Sequence, residues 1–217
     1  MQTHQKNYWE RDGVLKRKSP DHPIVAECVL PKIDIIKSYV SITPKTRLLD
    51  VGCGNGFFTY YFDKICDVSG VDYSEKMLQI NPVKKKFLMD ANNLKFDDNS
   101  FDIAFSHGFL HHVDNIDNVI QEMKRVSKKY VIILDANRNN PLLFLFSLIV
   151  KEERKALKFS LSYLRNIIKR NGLKIIDSFS LGMIVPNKMP LFLLPLAKKF
   201  NFKQPFGITN FVIAEKM

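Results

Sequence analysis

The stretch Leu48-Leu49-Asp50-Val51-Gly52-Cys53-Gly54-Asn55-Gly56-Phe57 decides how the rest of the chain is read. From Arg47 to Val51 it is short and apolar apart from Asp50 at its end, as a strand buried on both faces of a parallel sheet requires. Gly52, Gly54 and Gly56 follow at alternate positions, where backbone turns tightly and comes closer to a ligand than a side chain permits. Phe57, Phe58, Tyr61, Phe62 and Ile65 then recur at helical spacing. Strand, glycine turn and helix in that order point to an α/β fold that holds a nucleotide-like cofactor.

The next apolar segment, Val68 to Val71, ends at Asp72, the spacing at which an acidic residue meets ribose hydroxyls in dinucleotide folds. Charge separates the candidate cofactors. A pyrophosphate at this turn would be repelled by Asp50, whereas an ammonium or sulfonium would be attracted. The turn reads G-x-G-x-G, one residue short of the dinucleotide spacing. Both departures favour S-adenosylmethionine over NAD.

The segment LLDVGCGNGFFT, with GVDYSEKML after it, resembles the class I S-adenosylmethionine-dependent methyltransferases, in particular the small-molecule branch that includes quinone-biosynthesis enzymes. The resemblance runs from about Tyr8 to Asp135 and fades afterwards. It implies a Rossmann-like, doubly wound α/β fold: a seven-stranded, mostly parallel sheet whose last strand, around Phe211 to Ala214, is antiparallel. It also implies S-adenosylmethionine as methyl donor, with S-adenosylhomocysteine as product. Asp50, Gly52, Gly54 and Asp72 would hold the donor, and the N-terminal aromatic pair Tyr8-Trp9 would close over it. Tyr73 and Met77 stand beside Asp72 as adenine contacts. Asp90-Ala91 would meet the adenine, since an exocyclic amine wants an acceptor and a small neighbour leaves room for the ring. Asp90 followed by Asn92-Asn93 also suits a simple turn.

At 217 residues and 46% hydrophobic content, one domain spanning 1–217 is the expectation. Residues 1–45 would form a helical N-terminal cap, in which Pro31 divides two short helices between Pro23 and Val40. The polar start, Met1 to Gly13, shows no secretory signal. Cys28, Cys53 and Cys66 lack metal or disulfide spacing, which fits a reducing cytoplasm.

Ser106-His107-Gly108-Phe109-Leu110-His111-His112 follows the strand from Phe101 to Ser106, where ligands of open α/β sheets bind. Ser106 is assigned to the donor site, and the run to His112 faces the acceptor. Methyl transfer from a sulfonium needs an aligned nucleophile and, where its proton must leave, a base near neutral pKa. His111 is the first candidate for that base, His112 and His107 the next; a hydrogen-bonded structural histidine is the competing reading. No third ligand at sensible spacing accompanies the pair, so no metal site is expected. An Asn/Asp-Pro-Pro-aromatic signature and a nucleophilic cysteine are both missing here, which argues against a nucleic-acid base as acceptor.

The +11 net charge is lopsided: residues through Asn137 carry 19 Lys and Arg against 18 Asp and Glu, whereas Arg138 to Met217 carries 14 against 4. This basic region contains two apolar covers, 138–160 and 181–205, the first with Leu142 to Val150, too short to span a bilayer at about 20 residues. Apolar segments beside lysines suit a small apolar or lipid-like acceptor, met at an anionic membrane surface, or simple packing on the sheet. Two rivals to a small-molecule methyltransferase stay open: an RNA methyltransferase, suggested by the charge, and a non-catalytic donor-binding subunit whose apolar cover meets a partner.

Overall fold

In β1 (Arg47–Val51), Leu48, Leu49 and Val51 are buried from solvent, and the strand pairs in parallel with β2 (Asp67–Asp72) and with β4 (Phe101–His107). β3 (Lys86–Leu88), β5 (Ser127–Ala136), β6 (Leu173–Leu181) and β7 (Thr209–Lys216) complete one sheet in the order β3-β2-β1-β4-β5-β7-β6. Only β7 runs against its neighbours, lying antiparallel between β5 and β6. The mostly parallel sheet with its antiparallel last strand is thus as expected. Its order reverses between β1 and β4, which leaves a crevice beyond the carboxyl ends of these strands. This computed structural model describes residues 8–11 and 16–217; Gly13 and most of the polar start lie outside the described residues.

Helices cover both faces. α1 (Pro23–Tyr39) and α2 (Thr59–Phe62) lie on one: Val25, Val29, Ile33 and Ile36, with Phe58 and Phe62, meet Leu48, Ile103, Phe105 and Ile132. α3 (Glu75–Ile80) follows β2, its N-terminus capped by Ser74, whose Oγ accepts from the Met77 amide at 3.3 Å. α4 (Ile116–Val126) and α6 (Leu161–Arg170) cover the other face, where Ile120, Met123, Leu164 and Ile168 pack on Leu49, Ala104 and Val131. α5 (Pro141–Ile149), a 3₁₀ turn over Lys151–Lys158, and α7 (Leu194–Lys199) belong to the two covers.

α1 departs from the expected pair of helices, because it continues through Pro31. A proline inside a helix costs about 3 kcal/mol. Ending the helix there would withdraw Ile33 and Ile36 from the core, where they are at most 3% exposed. Burial of each contributes about 1.5–3 kcal/mol, enough to offset the proline. β5 also begins earlier than its apolar run suggests, at Ser127. Lys128 and Lys129 interrupt the hydrophobic pattern, yet the backbone already pairs with Phe101 across an irregular register.

Candidate functional site

Beyond the C-terminal ends of β1, β2 and β4 lies a cavity of about 250 Å³. Asp50 lies in its wall, 2% exposed, and accepts a hydrogen bond from Thr59 Oγ1 at 2.7 Å. Burial raises its pKa to about 7, a rise that the Thr59 hydrogen bond opposes and the nearby Asp72 charge reinforces. Asp72 ends β2, and its two carboxylate oxygens accept from the amides of Gly54 and Ser74, each at 2.9 Å. Burial moves its pKa upward against those bonds.

The glycine turn is needed for two reasons. At Gly52 φ is +76°, and a Cβ would stand 2.3 Å from Cγ of Phe109. At Gly54 φ is +51° and a Cβ would meet nothing within 4 Å, so there the backbone itself borders open space in the cavity. Tyr73 and Met77 also line the cavity. A narrow slot adjoins it, sharing Gly52, Asp72, Tyr73 and Phe109 and closed by Met89, Asp90, Ala91 and Val113. Asp90 shows its turn character as well, accepting from the backbone and side-chain nitrogens of Asn92, both at 2.9 Å.

The facing wall is built from Trp9, Arg17, His107, His112, Pro186 and Asn187. Arg17 lies over the Trp9 ring, 4.9 Å from its centroid, and Trp9 stands edge-on to His112 at 4.8 Å. Lys18 ties this segment down: its amide donates to Oδ1 of Asn187 at 3.4 Å, and its carbonyl accepts from Nδ2 of Asn55 at 3.3 Å. The Nε of Arg17 is buried without a hydrogen-bond partner among the described residues, and Arg17 is the one lysine or arginine among those lining the cavity. Tyr8 stands edge-on to Trp9 at 5.1 Å and does not line the cavity. Ser106 is fully buried in β4 and does not line it either.

The two adjacent histidines divide sharply. They sit in a 3₁₀ turn, Leu110–His112, held by Asp135 at the end of β5, which accepts from the Leu110 amide at 2.8 Å. His111 turns away from the cavity: Nδ1 meets the Asp135 carboxylate and Nε2 lies 3.2 Å from Oε2 of Glu153. Burial alone would lower its pKa, but the charges and hydrogen bonds of Asp135 and Glu153 outweigh that and raise it to about 10. His112 faces the cavity, and its Nδ1 is buried with no partner among the described residues. Burial holds it well below the usual range, helped by the positive charges of His111, Arg17 and Lys155. His107 lines the cavity too and is lowered first by burial, then by Lys32.

Folding also supplies the third ligand-type residue that sequence spacing did not show. Ligand atoms of His111, His112 and Glu153 all fall within 4.8 Å of one another. In this arrangement His111 engages a carboxylate with each ring nitrogen, so its imidazolium takes the place between Asp135 and Glu153 that a cation would take.

Sequence reading singled out none of Arg17, Glu153, Pro186 and Asn187, although the last three lie in the two apolar covers. Glu153 reaches His111 from 42 positions away, a distance at which spacing carries no signal.

Residues 49–134 match the family of the methyltransferase domain. The demethylmenaquinone methyltransferase of Staphylococcus epidermidis is 31% identical over 122 residues, 51% of this chain and 51% of the relative. That of Staphylococcus haemolyticus is 32% identical over 117 residues, 49% of each. The chain thus spans about half the length of the curated relatives it matches. Among solved structures, a SAM-dependent methyltransferase from Aquifex aeolicus aligns with a TM-score of 0.64 at 18% identity, over 91% of this chain and 95% of that one. One from Archaeoglobus fulgidus aligns with a TM-score of 0.61 at 19% identity, over 86% and 93%. Residues 49–134 thus match a methyltransferase domain, the chain resembles the quinone-biosynthesis methyltransferases over about half its length, and its fold is that of the solved SAM-dependent methyltransferases.

Proposed function

We propose that this protein transfers a methyl group from S-adenosylmethionine to a small apolar acceptor of the quinol or phenol type. The observation that carries the reading is the charge lining the cavity: the carboxylates of buried Asp50 and half-buried Asp72, the guanidinium of Arg17, and the open backbone of Gly54.

The donor fits that layout group by group. Asp50 and Asp72 offer negative potential and acceptors to an ammonium, a sulfonium and ribose hydroxyls. Neither tolerates the donor's own carboxylate, which leaves Arg17 as its partner, with a buried Nε to satisfy. Asp90 and Ala91 border a slot for the adenine edge. When bound, the donor supplies an already activated methyl group. The protein's task is then alignment and exclusion of water.

His112 takes the acceptor-facing role that sequence assigned first to His111. Its neutral imidazole has an unpaired Nδ1, able to accept a hydrogen bond from the acceptor's hydroxyl and so orient it. A protonated His111, locked between carboxylates, has no lone pair to offer. Its part is to hold His112 in place and keep it neutral. Trp9, Pro186 and Asn187 complete a mainly apolar acceptor wall. The names of the demethylmenaquinone relatives point to the same acceptor class.

The test is radiolabelled methyl incorporation into lipid-extracted, aqueous and RNA fractions. Label is expected in the lipid extract. Label confined to RNA, or no heat with S-adenosylhomocysteine in a calorimeter, overturns the proposal.

A further inference from the structure

α5 is built inside out. Its single buried side chain is Ser147, while Leu142, Leu145 and Ile149 are 65%, 56% and 72% exposed. A helix on a water-facing surface turns its apolar stripe inward and its polar residues out. A second segment buries Leu194 and Ala197 but also exposes large apolar side chains, with Phe192, Leu196 and Phe206 at 78%, 56% and 60% exposed. The two are fastened together: Nδ2 of Asn140 at the start of α5 donates to the Phe206 carbonyl at 2.8 Å, and Nδ2 of Asn137 donates to the Pro205 and Gly207 carbonyls at 2.9 and 2.7 Å. Exposed apolar side chains from two segments are therefore joined at a common seam, and contiguous apolar surface of this kind marks an interaction site.

Charge identifies what this surface meets. Lys151, Lys188 and Lys199 are exposed, stand next to the apolar segments in sequence, and form no ion pair among the described residues. Acidic residues are scarce from Arg138 to Met217, four against fourteen basic. Apolar side chains edged by unpaired ammonium groups complement an anionic lipid surface, whose acyl region takes the first and whose headgroups take the second. No helix among the described residues is long and apolar enough to cross a membrane, so contact of this kind would be with one leaflet.

We infer that α5 and the 191–206 segment dock this protein on an anionic phospholipid bilayer. The inference extends the apolar-acceptor reading and rests on it for its purpose. Pro186 and Asn187 of the cavity wall lie in the chain just ahead of Leu191, so an acceptor dissolved in the bilayer would meet the cavity beside the docked face.

Vesicle flotation tests it, with phosphatidylcholine alone and phosphatidylcholine mixed with phosphatidylglycerol. The protein is expected to float with the mixed vesicles and to be released by salt. Leu145→Ser with Ile149→Ser and Phe192→Ser should lower the bound fraction by about tenfold or more, since each removes an inserting apolar group. These side chains are exposed, so S-adenosylhomocysteine affinity should stay at the wild-type value. Lys188→Glu with Lys199→Glu should remove the preference for the mixed vesicles. Wild-type protein that floats with neither vesicle, or a serine variant that floats as well as wild type, overturns docking while leaving donor binding standing. A dimer in analytical ultracentrifugation, dispersed by the same serine substitutions and without vesicle binding, also overturns it and assigns the face to a second copy.

Discussion

The glycine turn and α5 are both apolar stretches of about ten residues, and they fold in opposite senses. Around the turn, Leu48, Leu49, Val51, Phe57 and Phe58 go into the core, and Asp50 and Asp72 border the cavity. In α5 Ser147 is buried while Leu142, Leu145 and Leu148 face out. The first region spends its hydrophobicity on holding charged groups at fixed positions. The second leaves its hydrophobicity unspent, which makes sense only against a surroundings less polar than water. Apolar sequence therefore reports burial only where the fold supplies a partner.

The contrast breaks hardest at Asp72. Its carboxylate sits where two backbone amides fix it, so Asp72→Ala removes both the contact proposed for the donor and the group that holds the Gly54 amide. Loss of charge-assisted hydrogen bonds at about 1.5–3 kcal/mol predicts an affinity for S-adenosylhomocysteine lower by about a hundredfold in calorimetry. Leu145→Ser should leave the same titration unchanged. If the two variants bind alike, the division between a polar donor region and an outward apolar region fails.

A smaller effect is expected at His112. His112→Ala should lower kcat by about tenfold or more with donor affinity intact, because the contact proposed for it is to the acceptor alone. Equal losses in kcat and donor affinity would place His112 with the donor instead. Arg17 gives the finer test of the same wall. Arg17→Gln should weaken S-adenosylhomocysteine by about tenfold but leave 5′-methylthioadenosine, which lacks the amino-acid end, bound as before. A variant that weakens both ligands equally would show that Arg17 only shapes the wall.

Most of the first region was legible because its determinants are local. Gly52 and Gly54 are required by the chain's own turn, and Asp72 follows from the end of the next strand. Short, nearly unbroken apolar runs set β1 and β4, which are buried along most of their length, and Ser74 one residue ahead of α3 is a local capping signal. Three features were not legible. α1 runs through Pro31 because Ile33 and Ile36 find a core that sequence does not display. Arg17 acquires its place only through Lys18, which bridges Asn55 and Asn187, residues 132 positions apart in the chain. The direction of His111 is set by Asp135 and Glu153, neither near it in sequence. In α5 the composition was read correctly, and the side it faces could not be.

The smallest predicted effect distinguishes the two histidines by pH alone. His111 has its folded pKa raised to about 10, above the ordinary 6.5, so the folded state binds its proton more tightly than the unfolded chain. That stabilisation is complete below about pH 6.5 and is lost as pH rises through about 10. Asp50, raised from 3.8 to about 7, works in a lower window: its stabilising protonation is complete below about 3.8 and lost as pH rises through 7. Between pH 7 and 10, then, His111 is the titration that matters of the two. One pKa unit is about 1.4 kcal/mol, and for a chain of this length each kcal/mol moves Tm by about 2–4 °C. Wild-type Tm should therefore fall by about 3 °C or more across that range relative to His111→Gln, which cannot titrate. Asp50→Asn should keep the wild-type slope above pH 7, and a His112→Gln variant should keep it too, because His112 is neutral throughout. Parallel curves for wild type and His111→Gln would mean that the imidazole between Asp135 and Glu153 is neutral, and would reopen the choice between His111 and His112 as the residue that meets the acceptor.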